Sequence, residues 1–251
     1  MEPSRELEIP VRDDYLKRYR DLYQQHWWWR AREKLILETL RGHQPPGGWN
    51  RILDVGCGDG LFFDQLMRFG EVEGVEPSAS VSENGPHRSR IHTCPFDENF
   101  QPGKQFTLIL MLDVLEHLAD PAAALRRALA LLVPAGMLLV SVPAFNLLWT
   151  NHDLLNEHVT RYTRRTFREL AQQAGLDIQA DCYFFQWLVP LKLATRALEG
   201  VLHLQPRPAG VPPGWINTPL YLLSRLEQNT WGVLPWPFGS SLMVWGRKFD
   251  R

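Results

Sequence analysis

The stretch Leu53-Asp54-Val55-Gly56-Cys57-Gly58-Asp59-Gly60 decides how this chain is read. It follows a short apolar run and precedes a helix expected to begin near Leu61. Glycines at alternate positions make a turn almost free of side-chain bulk. Glycine takes φ > 0 without steric penalty, so backbone amides there can approach a ligand closely. The helix that follows leaves N–H groups free at its start. A strand, a glycine turn and a helix N-terminus together form a general nucleotide-binding device.

The spacing is Gly56-x-Gly58-x-Gly60, not G-x-G-x-x-G, and a lone glycine loop is a weak signal. A second feature strengthens it. Glu71-Val72-Glu73-Gly74-Val75-Glu76-Pro77 reads as a second strand ending in an acid, about twenty residues further on. A carboxylate at Glu76 can accept hydrogen bonds from both ribose hydroxyls of an adenosine. No arginine stands beside it to suit a 2′-phosphate. A third element runs Phe106-Thr107-Leu108-Ile109-Leu110-Met111-Leu112-Asp113-Val114-Leu115-Glu116-His117-Leu118, and Pro134-Ala135-Gly136 opens a further apolar run.

On these motifs the chain resembles the class I S-adenosylmethionine-dependent methyltransferases, in the bacterial type-11 subgroup that includes the ubiquinone-pathway O-methyltransferases. The resemblance covers roughly residues 50–185. It implies an α/β, Rossmann-like fold: a seven-stranded, mostly parallel sheet with an antiparallel last strand and helices on both faces. It implies S-adenosyl-L-methionine as cofactor, held by Asp54, Gly56, Cys57, Gly58, Gly60, Glu76 and Pro77, with Phe96, Asp97, Leu112 and Asp113 about the adenine. The run His26-Trp27-Trp28-Trp29-Arg30-Ala31-Arg32 also resembles this subgroup, and Arg32 is placed to meet the methionine carboxylate, with Arg30 as the alternative. Thr107 stands where the family often has an acid, and Ala135 where it has the middle glycine of "PGG".

The 251 residues suit one large α/β domain with additions, and 45% hydrophobic content supports a packed core. Basic and acidic residues number 27 and 28, for a net charge of −1, and no long basic patch is visible, which argues against a nucleic-acid partner. Cys57, Cys94 and Cys182 are scattered without metal spacing, as a reducing compartment allows. The N-terminus lacks the apolar core of a signal peptide, and no apolar run reaches transmembrane length. A cytoplasmic protein, in places touching a membrane periphery, is expected.

Strands are expected over 51–55, 71–75, 90–93, 106–111, 136–142, 177–184 and 240–247. Helices are expected over 11–41, 60–69, 121–132 and 166–174, with Asp120 and Pro121 starting one and Gly175 stopping another. Residues 1–48 then form an N-terminal helical cap and 49–185 the cofactor-binding core. Residues 186–239, rich in Pro and Trp with helical stretches at 189–203 and 217–229, form an insertion, and 240–251 returns as the last strand. Of the 10 tryptophans, Trp187, Trp215, Trp231, Trp236 and Trp245 lie in or beside the insertion. It reads as a lid over a hydrophobic, even lipid-like acceptor, as a peripheral membrane contact with Lys192, Arg196 and Arg225, or as a dimer surface.

Methyl transfer is an in-line displacement, so the site must align a nucleophile and, for a hydroxyl, remove its proton. Three histidines are candidates for that base. His117 sits in Asp113-x-x-Glu116-His117, a cluster that the resemblance associates with a divalent metal in ubiquinone-pathway relatives and with turn-shaping in metal-free ones; no metal is assigned. His152 and His158 fall in the segment after strand five, where Trp149, Arg161 and Tyr162 are expected to border the acceptor pocket, with His158 and Tyr162 on one helix face. The expected reaction is O-methylation of a small acceptor. A non-catalytic cofactor-binding scaffold and an NAD-dependent oxidoreductase are the alternatives.

Overall fold

A computed structural model describes residues 13–82, 85–202, 205–206, 208–230, 232 and 234–248. The outer part of the expected cap (1–12), Trp231 and the end of the last segment (249–251) lie outside the described residues. In chain order the elements are α1 (Asp13–Gln25), α2 (Trp27–His43), β1 (Arg51–Val55), α3 (Phe63–Leu66), β2 (Glu71–Val75), α4 (Ala79–Ser82) and β3 (Ile91–His92). They continue with β4 (Phe106–Leu112), α5 (Pro121–Leu131), β5 (Leu132–Pro143), α6 (Asn151–Leu155), α7 (Arg164–Ala174) and β6 (Leu176–Phe184). The last are α8 (Leu188–Leu202), α9 (Gly214–Asn229) and β7 (Ser241–Lys248).

The seven strands form one sheet in the order β3-β2-β1-β4-β5-β7-β6. Strands β3, β2, β1, β4 and β5 pair in parallel, and β7 runs antiparallel to both β5 and β6. The central strands are buried on both faces, which is why they read as unbroken apolar runs. Alternate side chains feed opposite layers. Leu53, Val55, Ile109 and Met111 pack with Leu125, Ala128, Phe167 and Leu170 of α5 and α7. Ile52, Leu108 and Leu110 pack with Ile36 and Leu40 of α2 and with Phe63 of α3.

Local signals hold at several ends. Asp120 accepts the Ala123 amide at 2.9 Å ahead of Pro121 at the start of α5. Gly175 closes α7 in the left-handed region at φ 79°. Two expectations shift. The helix after the glycine turn is four residues, Phe63–Leu66, rather than 60–69, because Gly58 and Gly60 at φ 58° and 80° carry the chain through extra turns first. Strand β5 begins at Leu132, not 136, and bulges opposite β4 where Ala135 takes φ 60°.

The insertion divides between two neighbours. Helix α9 lies on the N-terminal helices: Asn217 accepts the Trp27 amide at 2.8 Å and donates to the Gln25 carbonyl at 2.7 Å. Arg225 pairs with Glu38 at 2.6 Å. Helix α8 leans instead on the segment after β5. Arg196 donates to the carbonyls of Asn146 and Leu147 at 2.8 and 2.7 Å, and Glu199 accepts the Asn151 amide at 2.9 Å.

Candidate active site

The β1 strand delivers Asp54 and the glycine turn to the carboxyl edge of the sheet, where ligands bind in open α/β folds. Gly56, Gly58 and Gly60 all have positive φ, at 70°, 58° and 80°. A methyl group on Gly56 would also sit 2.8 Å from a Val114 methyl, so this position needs glycine for two reasons. Glu76, just past β2, accepts the amides of Gly58 at 3.1 Å and Ser78 at 3.0 Å. The turn is thereby fixed to the acid expected to meet the ribose.

Burial beside the Glu76 charge raises the Asp54 pKa to about 7, against the pull of Arg32. Cys57 turns its sulfur onto Gly74, where a methyl group would overlap it, and burial pushes its thiol up. The side chain fills space, leaving the Cys57 backbone as the part that can face a ligand. Asp59 is buried and accepts from Arg20 Nε at 2.7 Å, so α1 is tied across the turn.

Arg32 is buried at the same edge. Its Nη2 meets Asp113 at 2.7 Å and Ser141 Oγ at 3.1 Å, and Ser141 also donates to Asp113 at 3.2 Å. Among the described residues its Nε has no hydrogen-bond partner, and the guanidinium carbon lies 5.4 Å from the Trp28 ring centre. Arg32 thus binds Asp113 while one of its donors stays unmatched among the described residues. Leu112 is half-buried at the end of β4, and Phe96 is half-buried against Phe100 at 5.7 Å. Asp97 and Pro77 are exposed, with Asp97 accepting the Asn99 amide at 2.8 Å.

The second cluster forms because the segment after β5 folds back on the turn after β4. The Val159 amide donates to the Glu116 carbonyl at 2.8 Å, and the Tyr162 hydroxyl to the Leu115 carbonyl at 3.1 Å. This brings His117 against His158, ring centres 4.8 Å apart, with His152 6.2 Å from His158. Residues 158–162 are not helical, contrary to expectation; Tyr162 bridges to Ala144 and continues the chain alongside β5.

Asp153 organises this region, a role the sequence hinted at only through its neighbour His152. It is fully buried and receives Arg161 Nε and Nη2, each at 2.8 Å, His158 Nδ1 at 2.8 Å and the Thr150 amide at 2.8 Å. Despite its burial, these donors hold its carboxylate well below the usual range. Arg161 also donates to the Ala144 carbonyl at 3.0 Å. Arg161 and Tyr162, expected to border the pocket, are both buried and bonded to protein partners. Trp149 is half-buried. His152 is open on one side and hydrogen-bonds with Asn156; the chain packed around it and the nearby Lys192 ammonium lower its pKa to about 4.

Glu116 is wholly buried, and among the described residues neither of its carboxylate oxygens has a hydrogen-bond partner. Burial, then repulsion from Asp113, drives its pKa well above the usual range. Among the described residues, Glu116, His117 and His158 each offer a ligand atom within 4.8 Å of the others. Asp113, which shares a sequence cluster with Glu116 and His117, is outside this group and pairs with Arg32 instead. Lys192 of α8 approaches the same region; only its place in the insertion, not any motif, marked it.

A methyltransferase domain family model matches residues 15–180. The chain is 36% identical over 130 residues to a ubiquinone biosynthesis O-methyltransferase of Bradyrhizobium sp. (strain ORS 278), an alignment covering 47% of this chain and 50% of that protein. The chain thus spans about half the length of this curated relative. Its fold is similar to the N-methyltransferase NodS of Bradyrhizobium japonicum WM9, solved with S-adenosyl-L-homocysteine, at TM-score 0.55 and 14% identity over 96% of this chain and 94% of that one. It is also similar to a SAM-dependent methyltransferase from Archaeoglobus fulgidus, at TM-score 0.52 and 16% identity over 86% and 94% of the two chains. The nicotinamide reading has no counterpart in these matches. By its family match, by the strand order and by the glycine turn fixed to Glu76, this chain belongs to the class I S-adenosylmethionine-dependent methyltransferases.

Proposed function

We propose that the chain methylates an oxygen of a small, hydrophobic acceptor, with His158 as the base. The observation that carries this reading is the contact of His158 Nδ1 with Asp153 at 2.8 Å. A buried, ionised carboxylate on Nδ1 fixes the ring and leaves Nε2 as the nitrogen that takes a proton. Asp153 is itself held by Arg161, so the dyad is preset. His117 is a weaker candidate, because burial and the His158 ring beside it depress its pKa. His152 contacts Asn156 and lies further from the turn after β4.

S-adenosylmethionine, when bound, supplies an electrophilic methyl group on a sulfonium. The glycine turn and Glu76 are suited to hold its adenosine, and Arg32 Nε its carboxylate. The segment after β5 excludes water behind the histidines through Leu148, Tyr162 and Arg161, all buried. A hydrophobic acceptor is supported by the exposed Leu191, Leu198 and Val201 of α8 beside the exposed Leu147. A peripheral membrane contact through this surface is a further reading; among the described residues, no helix is long and apolar enough to cross a membrane.

A divalent ion is the second reading for the histidine cluster. The unpartnered Glu116 carboxyl and two imidazoles form a donor set suited to a borderline ion such as zinc or manganese. Glu116, His117 and His158 would hold it, and it would supply positive charge that lowers the pKa of an acceptor hydroxyl.

Turnover is measured as S-adenosylhomocysteine release with a panel of phenols and catechols, with and without chelator. His158→Ala should lower kcat by about 10²–10⁴-fold, with activity returning at high pH as the acceptor hydroxyl ionises unaided. His117→Ala and His152→Ala should fall by less. Unchanged kcat in His158→Ala removes it as the base, and loss on chelation favours the ion.

A further inference from the structure

Among the described residues, the Lys192 ammonium on α8 has no hydrogen bond or ion pair, beside the segment that carries the histidine cluster. On α8, Lys192, Arg196 and Glu199 recur at helical spacing and share a face. Arg196 and Glu199 both bond to residues 146–151, so the Lys192 side of the helix is pressed against the segment carrying His152, Asp153 and Arg161. Arg161, Asp153 and Asp113 are the charged groups acting on Lys192, and His152 feels its charge in turn.

The neighbours are otherwise paired. Asp153 is taken by Arg161 and His158, and Asp113 by Arg32. Burial raises the Glu116 pKa well above the usual range. Lys192 is half-buried and has neither a hydrogen bond nor an ion pair among the described residues. With Asp153 and Asp113 already paired to Arg161 and Arg32, Lys192 is left without an ion-pair partner among the described residues. An amine placed like this is costly to bury without an anion to meet it. Its pKa falls to about 8, first through burial and then through the Arg161 charge, so most of it remains protonated at neutral pH.

We infer that Lys192 is a specificity residue that recognises a negatively charged oxygen group on the acceptor, so that the acceptor is an apolar molecule bearing a carboxylate, phosphate or phenolate. This rests on the methyltransferase reading of the same site. The apolar part of such a molecule would lie along the exposed leucines of α8, next to Leu147. The reacting hydroxyl would lie toward His158, and the anionic group toward α8.

The test uses the full chain, with and without S-adenosylhomocysteine, and three probes: benzoate, phenyl phosphate and neutral benzamide. Acetylation of Lys192 by acetic anhydride is followed by mass spectrometry. An anionic probe should slow labelling of Lys192 about tenfold more than benzamide does, the size of one charge-assisted contact. Whether benzoate or phenyl phosphate protects better distinguishes a carboxylate from a phosphate acceptor. In Lys192→Met the binding preference for anion over amide, measured by equilibrium dialysis, should vanish, and Lys192→Arg should keep it. The inference is overturned if no anion protects beyond benzamide, or if the preference survives in Lys192→Met. Calorimetry with S-adenosylhomocysteine on the same sample reports separately on the methyltransferase reading: absent binding there, with Lys192 still protected, sinks that reading and not the anion site.

Discussion

The Glu76 carboxylate accepts the Gly58 amide at 3.1 Å, so the acid that ends β2 holds the glycine turn that ends β1. Its other oxygen takes the Ser78 amide at 3.0 Å. The turn is therefore braced by the same carboxylate that we propose meets the ribose. Glu76→Gln keeps the volume but loses the charge and one acceptor oxygen. Affinity for S-adenosylhomocysteine should fall by about 10- to 100-fold by calorimetry, as expected for loss of charge-assisted bonds. Wild-type affinity in Glu76→Gln would mean that Glu76 only braces the turn.

Gly56 tests the turn from the other side. Its φ of 70° disfavours any side chain, and a methyl group would press to 2.8 Å on Val114. Gly56→Ala should lower both cofactor affinity and melting temperature. Val114→Ala added to Gly56→Ala removes the overlap and leaves about 1 kcal/mol of backbone strain. The double variant should thus recover part of the loss and not all of it. Full recovery would show that the conformation costs nothing.

The Asp153–Arg161 pair anchors the segment after β5 in the interior, with side chains at 0% and 1% exposure. Asp153→Asn leaves a buried guanidinium without its counter-charge, a change that typically costs about 3–5 kcal/mol. Urea unfolding should show a loss of this order. Arg165→Ala, which removes an exposed pair with Glu169 on α7, should cost under about 1 kcal/mol. Equal effects for the two would contradict the burial argument.

Asp54 gives the protein a pH signature. Its pKa is raised from 3.8 to about 7 by folding, so the protonated form is the one the fold favours. Its contribution to stability is complete below its unfolded value and disappears as pH rises through about 7. Without cofactor, Asp54→Asn should therefore gain stability over wild type between pH 5 and pH 8, by up to about 4 kcal/mol at the upper end. Paired unfolding curves at the two pH values measure this, and a difference that does not vary with pH would refute it.

Much of the sheet could be read from the chain itself. The runs 51–55 and 71–75 match β1 and β2 at both ends, because short runs with buried apolar positions between a preceding loop and a following turn read as strands. The glycines and Glu76 were legible for a related reason: positive φ and close backbone approach leave few residue choices. The cap at Asp120 and the stop at Gly175 are local devices and were read locally.

The histidine cluster was not legible in the same way. His117, Asp153 and His158 were all visible as residues, but their partners were not. The sequence set His152 beside Asp153 and placed His158 on a helix with Tyr162. The folded chain instead gives Asp153 to His158 and Arg161, and lays residues 158–162 along β5. Likewise Asp113 answers Arg32 from α2, and Lys192 arrives from an insertion more than thirty residues beyond Arg161. Sequence alone determined what short-range sterics and strand burial enforce: the glycine turn, its acid and the order of strands and helices. Tertiary structure decided which charges meet, because a buried ion takes whichever partner the packing of distant segments places within reach, and no local pattern encodes that distance.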